Sequence, residues 1–123
     1  MQHADIHLDP DAIAALRALQ MPGRPSIVLR VFDVFETSAA GLLADLGRGL
    51  ASGDLALVTR AAHTLKSSSA NIGATALAAR AKALEHSGRD GDLEGCRAAG
   101  TGLQGLLDAT LAAVAALRRE EAA

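Results

Sequence analysis

The chain has 123 residues, half of them hydrophobic but only 2% aromatic, and 12 basic side chains stand against 14 acidic ones for a formal net charge of −2. A length of this order gives one domain able to bury a core without disulfide or metal support. The near-neutral balance argues against the basic footprint of a duplex nucleic-acid binder, and the scarcity of aromatic rings argues against a single-strand binder. The single cysteine, Cys96, excludes an internal disulfide framework and a multi-thiolate zinc site. No apolar run approaches the roughly 18–20 residues that span a bilayer. Met1 to Asp5 lacks the basic and apolar regions of a signal peptide. These features together predict a cytoplasmic, membrane-free domain over 1–123, with 1–8 and 120–123 frayed.

The apolar period is helical throughout, with no strand-like alternation. A first helix is predicted over 9–20, with Pro10 early, where its missing N–H costs nothing, and Ile13, Leu16 and Leu19 turned inward. Pro22-Gly23-Arg24-Pro25 ends that segment. A second helix follows over 26–50, its stripe formed by Ile27, Val31, Val34 or Phe35, Leu42, Leu46 and Leu50. The third covers 54–72, and the fourth covers 74–87 with Leu77, Ala81 and Leu84 inward. The last covers 92–119 with Leu103, Leu107, Leu111, Val114 and Leu117 inward, its first half weakened by Gly95, Gly100, Gly102 and Gly105. Gly-Asp-Leu opens two of these stretches, at Gly53 and Gly91, placing a carboxylate at the positive end of each helix dipole. Short loops between long amphipathic helices predict an all-α, up-down antiparallel four-helix bundle with a short additional N-terminal helix.

Chemistry enters on the third helix. With about 100° per residue, Val58, Ala61, Leu65, Ser68 and Ile72 fall opposite His63 and form the buried face. His63 therefore points away from the bundle, among Ala56, Thr59, Ser67 and Ala70, with Arg60 and Lys66 on either flank. Small neighbours allow another macromolecule to approach the ring, and the cations favour an incoming anion. Neutral imidazole nitrogen is a competent nucleophile near neutral pH. The same geometry also describes an ordinary surface histidine among small helix formers.

The stretch from Ala62 to Ala74, Ala-His-Thr-Leu-Lys-Ser-Ser-Ser-Ala-Asn-Ile-Gly-Ala, resembles the signature of the histidine-containing phosphotransfer (HPt) domain family. Leu77, Leu84 and Glu85 fill the Leu-x(6)-Leu-Glu pattern on the next helix, and Leu8-Asp9-Pro10 and Gly53-Asp54 extend the likeness upstream. The resemblance implies that His63 is the phospho-acceptor in a two-component phosphorelay and that Lys66 stabilises the transferred phosphoryl charge. The face around His63 on the wheel, Ala56, Thr59, Arg60, Ser67 and Ala70, is the expected docking face. Position 67 is Ser67 here, where the family often has glycine, a small change on the docking face.

Ser68 and Ser69 are assigned to close helix packing and Gly73 to the helix C-cap; Glu85 is read as a surface match without a catalytic role. Partners implied by the resemblance are response-regulator receiver domains and a hybrid sensor histidine kinase, with this chain a monomer. It would be a phosphocarrier rather than an enzyme, with no cofactor of its own; Mg²⁺ belongs to the partner receiver. No nucleotide-binding loop is present. The alternative is a helical adaptor that binds a receiver or kinase without phosphotransfer.

Other candidates are weaker. His3 and His7 are four apart, but Pro10 and the lack of further ligands leave no metal site. His86 is read as facing the helix C-terminus, Arg89 as a loop residue able to swing toward a phosphoryl group, Cys96 as packing, and Arg118 to Glu121 as a solvated terminus. Met1 and the whole-length likeness suggest a stand-alone protein, and ten Arg against two Lys suggest a GC-rich bacterial source.

Overall fold

A computed structural model describes residues 6–122 as a helical bundle, with six helices and no strand among the described residues. The helices are α1 (Pro10–Arg17), α2 (Ile27–Ser52), α3 (Leu55–Asn71), α4 (Thr75–Arg89), α5 (Leu93–Gly100) and α6 (Leu103–Ala122). Four of them begin where a side chain satisfies a free backbone N–H. Asp9 accepts from Asp11, Ser26 from Leu29, Asp54 from Leu57 and Asp92 from Gly95, over 2.8–3.2 Å. The two Gly-Asp-Leu stretches are thus N-cap signals, and the helix starts at the leucine in each.

The chain reverses direction between α2 and α3, between α3 and α4, and between α4 and α5. Gly49 of α2 lies against Val58 of α3, and the α4 carbonyl of Leu84 faces Cys96 of α5. Arg118 of α6 returns beside Asp33 and Glu36 near the start of α2. Phe32, Phe35, Leu46, Val58, Leu65, Ile72, Leu77, Leu84 and Val114 form the shared core. Phe35 rather than Val34 belongs to it, because Val34 is 69% exposed, and Phe32 adds a large core residue outside the predicted stripe.

Several expectations change. The predicted helix over 92–119 is two helices, bent by 41° at Thr101 and Gly102. Thr101 is extended and Gly102 is left-handed at φ +74°, a conformation glycine adopts without a Cβ penalty. The fourth position of the bundle is therefore divided between α5 and α6. Leu19 is exposed, not inward, because α1 ends at Arg17 and Leu19 falls in the following turn. That turn is organised by Gln20, whose amide donates to the carbonyls of Met21, Arg24 and Pro25 while its oxygen accepts from the N–H of Ile27.

The segment from Arg118 to Glu121 is not simply solvated. Arg118 bonds Asp33 at 2.8 Å and Glu36 at 2.6 Å and lies 5.8 Å from the Phe32 ring centre, while Glu121 pairs with Arg17 of α1. At the other end, Ile6 and Leu8 pack half-buried against the core in a stretch expected to fray. Residues 1–5 and 123 of the predicted frayed ends lie outside the described residues. No single helix among the described residues is long and apolar enough to cross a membrane.

Candidate functional site

α3 carries the site because both its ends are held. Asp54 caps its start, and Ile72 and Gly73 close its end, with Gly73 at φ +76°. The Gly73 carbonyl accepts from the N–H of Asp9 at 2.8 Å, which ties the base of α1 to the end of α3. Its buried side is Val58, Ala61, Ala62, Leu65 and Ser69. This face is rotated from the predicted one toward α4, so Ser69 is buried and Ser68 only half-buried. The Ser68 hydroxyl donates back to the carbonyls of Thr64 and Leu65, whereas the Ser69 hydroxyl has no partner among the described residues.

His63 lies midway along α3 with its side chain 56% exposed. Its ring is held by one hydrogen bond. Nδ1 lies 2.8 Å from Oε2 of Glu85 on α4, and Glu85 is only 2% exposed. A carboxylate so placed accepts an N–H, so in the neutral ring Nδ1 carries the proton and Nε2, on the far side of the ring from Glu85, carries the lone pair. The other carboxylate oxygen, Oε1, takes Lys66 Nζ at 2.6 Å, and Arg89 reaches Oε2 at 2.7 Å. These partners hold the Glu85 carboxyl far down, at about 2 against an ordinary 4.5; the Lys66 contact contributes most and exceeds the opposing effect of burial, and the His63 and Arg89 contacts lower it further. Glu85 is ionised at neutral pH. One negative charge against Lys66 and Arg89 leaves a surplus positive charge beside the ring, available to an anion arriving at Nε2.

The placement of Glu85 overturns its reading as a surface residue. Ala81, Glu85 and Gly88 are spaced i, i+4 and i+7, one face of a helix, and all three are buried. Arg89 is likewise not in a loop. It is the last residue of α4, four residues from Glu85 and so on its side of the helix.

The proposed docking residues are divided. Ala56, Arg60, Ser67 and Ala70 are exposed around His63. Thr59 is half-buried, its hydroxyl donating to the Leu55 carbonyl at 2.7 Å, and it packs against Gly88 of α4 rather than facing solvent. Lys66 flanks the ring as expected but is engaged by Glu85.

The remaining candidates are placed elsewhere. His86 is exposed and 3.2 Å from the Asp90 carboxylate, not bonded to the backbone. His7 is exposed on a non-helical stretch, and His3 lies outside the described residues. Cys96 is buried, its Sγ 3.9 Å from the Leu84 carbonyl, and burial, with a smaller contribution from Asp92, pushes its thiol up.

Comparison with known proteins gives one match. The family model described as Hpt domain covers residues 30–116, which includes all of α3, α4 and α5. No curated protein and no solved structure matches the chain.

Proposed function

The chain belongs to the Hpt domain family, a family of phosphorelay modules that transfer phosphoryl groups through histidine, and from that membership we propose that His63 is its phosphoryl acceptor. The observation that carries the proposal is the buried Glu85 carboxylate on Nδ1, which leaves Nε2 as the outward nucleophile. A response-regulator receiver domain presenting an aspartyl phosphate docks over Ala56, Arg60, Ser67 and Ala70. The Nε2 lone pair attacks phosphorus in line, the Nε2–P bond forms as the O–P bond breaks, and the receiver aspartate leaves as a carboxylate. No proton has to leave Nε2. The ring gains positive charge, and the Glu85 carboxylate on Nδ1–H stabilises it. Lys66 and Arg89 bear on the phosphoryl oxygens from the same cluster. Transfer to a second receiver, or back to the first, reverses these steps.

In this reading Mg²⁺ sits in the receiver, and this chain is a phosphocarrier supplied by a hybrid sensor kinase rather than an enzyme. A monomer suffices, since every group named comes from α3 and α4. The test is incubation with a phosphorylated receiver of the same organism. Wild type is expected to acquire an acid-labile, base-stable phosphate that His63→Gln does not. A receiver that binds both proteins equally and phosphorylates neither would instead mark the chain as an adaptor.

A further inference from the structure

We infer that Gly88 and Thr59 form the spacer that sets the α3–α4 separation and thereby the proton position on His63, so that both are positioning residues for Nε2. This rests on the proposed role of His63 as acceptor. Gly88 is buried, in ordinary helical geometry, and faces Thr59. A Cβ built on Gly88 falls 2.3 Å from Thr59 Oγ1, and 3.4 Å from both Cα and Cβ of Thr59. The only severe obstacle is the hydroxyl. It cannot easily swing away, because it donates to the Leu55 carbonyl at 2.7 Å. Glycine is thus required here by space and not by backbone angle. In an otherwise regular helix interior, alanine is the better helix former.

The location gives this contact its consequence. Thr59 is one turn before His63 on α3, and Gly88 is about one turn after Glu85 on α4. The helices are antiparallel, so the Thr59–Gly88 contact and the 2.8 Å His63–Glu85 bond are adjacent rungs between the same two helices. Moving α4 outward at Gly88 draws the Glu85 carboxylate away from Nδ1. A hydrogen bond tolerates little lengthening. A neutral imidazole released from that acceptor reverts toward the Nε2–H form it prefers in water, which removes the lone pair from the position that attacks phosphorus.

The experiment compares wild type, Gly88→Ala, Thr59→Ala and the double variant. Nitrogen-15 spectra of His63 report the tautomer. The rate of phosphorylation by phosphoramidate reports Nε2 reactivity without any docking partner: the Nε2–P bond forms, the P–N bond of the donor breaks, and ammonia leaves. Gly88→Ala is expected to lose the Nδ1–H form and react roughly tenfold more slowly, the scale of a small misplacement of a reacting group. The double variant, in which the hydroxyl is gone, is expected to regain both. Retention of the Nδ1–H form in folded Gly88→Ala overturns the inference. So does a folded double variant that fails to regain it. Should Gly88→Ala not fold, a double variant that folds and shows the Nδ1–H form supports the inference, and one that does not fold or lacks that form overturns it. If wild-type His63 shows the Nδ1–H form yet accepts phosphate from no donor, the acceptor role fails while the spacer stands.

Discussion

The Glu85 carboxylate, buried at the α3–α4 interface, holds Nδ1 of the exposed His63 at 2.8 Å. One side chain of the core thus decides which nitrogen of a surface ring is nucleophilic. The relationship is directional, because the carboxylate accepts and the ring donates, and in the neutral ring it leaves the lone pair on Nε2.

Substitutions of Glu85 separate orientation from charge. Glu85→Gln keeps an oxygen able to accept from Nδ1–H but removes the negative charge opposite the ring. It is expected to slow phosphotransfer about tenfold, and Glu85→Ala, which removes both, about a hundredfold. Single-turnover rates with a phosphorylated receiver measure this, with circular dichroism confirming that both variants fold.

The low titration of Glu85 makes acid stability depend on it. Its folded value, about 2, lies below the ordinary 4.5, so between those limits the unfolded chain binds more protons than the folded one. The stabilisation is fully present above about pH 4.5 and disappears as pH falls toward 2. Urea midpoints of wild type are expected to drop across this window more steeply than those of Glu85→Gln, which has no such group to titrate.

Lys66 and Arg89 contact the same carboxylate but differ in exposure, their side chains being 33% and 63% accessible. Lys66→Ala is expected to slow the transfer step about tenfold with little change in receiver affinity. The more solvated Arg89 is expected to give a smaller loss. Rates measured against receiver concentration separate the two effects, and equal losses in rate and affinity for Lys66→Ala would contradict its assigned role.

Gly73 tests how the end of α3 is secured. At φ +76° an L side chain is strained, and a Cβ there would lie 2.6 Å from the backbone nitrogen of Asp9. Gly73→Ala is expected to cost about 1–3 kcal/mol from the backbone strain alone, measured by urea unfolding. Displacement of α1 would add to that loss.

Helix periodicity, helix starts near Asp9, Asp54 and Asp92 and the outward direction of His63 were legible along the chain, because each depends on residues within a turn or two of one another; that these aspartates cap the helices is seen in the structure. The HPt-like stretch from Ala62 to Ala74 is of the same local kind. What the sequence left open, or led astray, depends on pairs of helices. A wheel places His63 outside but does not say what lies beneath it, and Glu85 is 22 residues away. A charged side chain is read as exposed until three cationic or donor partners meet it, which happens only when α4 packs against α3. Thr59 is a docking residue by its angle on one helix and a spacer by its contact with Gly88 on the next. Local sequence determined most of the helical stretches, though not the break at Thr101 and Gly102, and that an imidazole stands on the surface. Tertiary packing alone decided which carboxylate holds that imidazole, because burial and long-range hydrogen bonds are properties of two elements together.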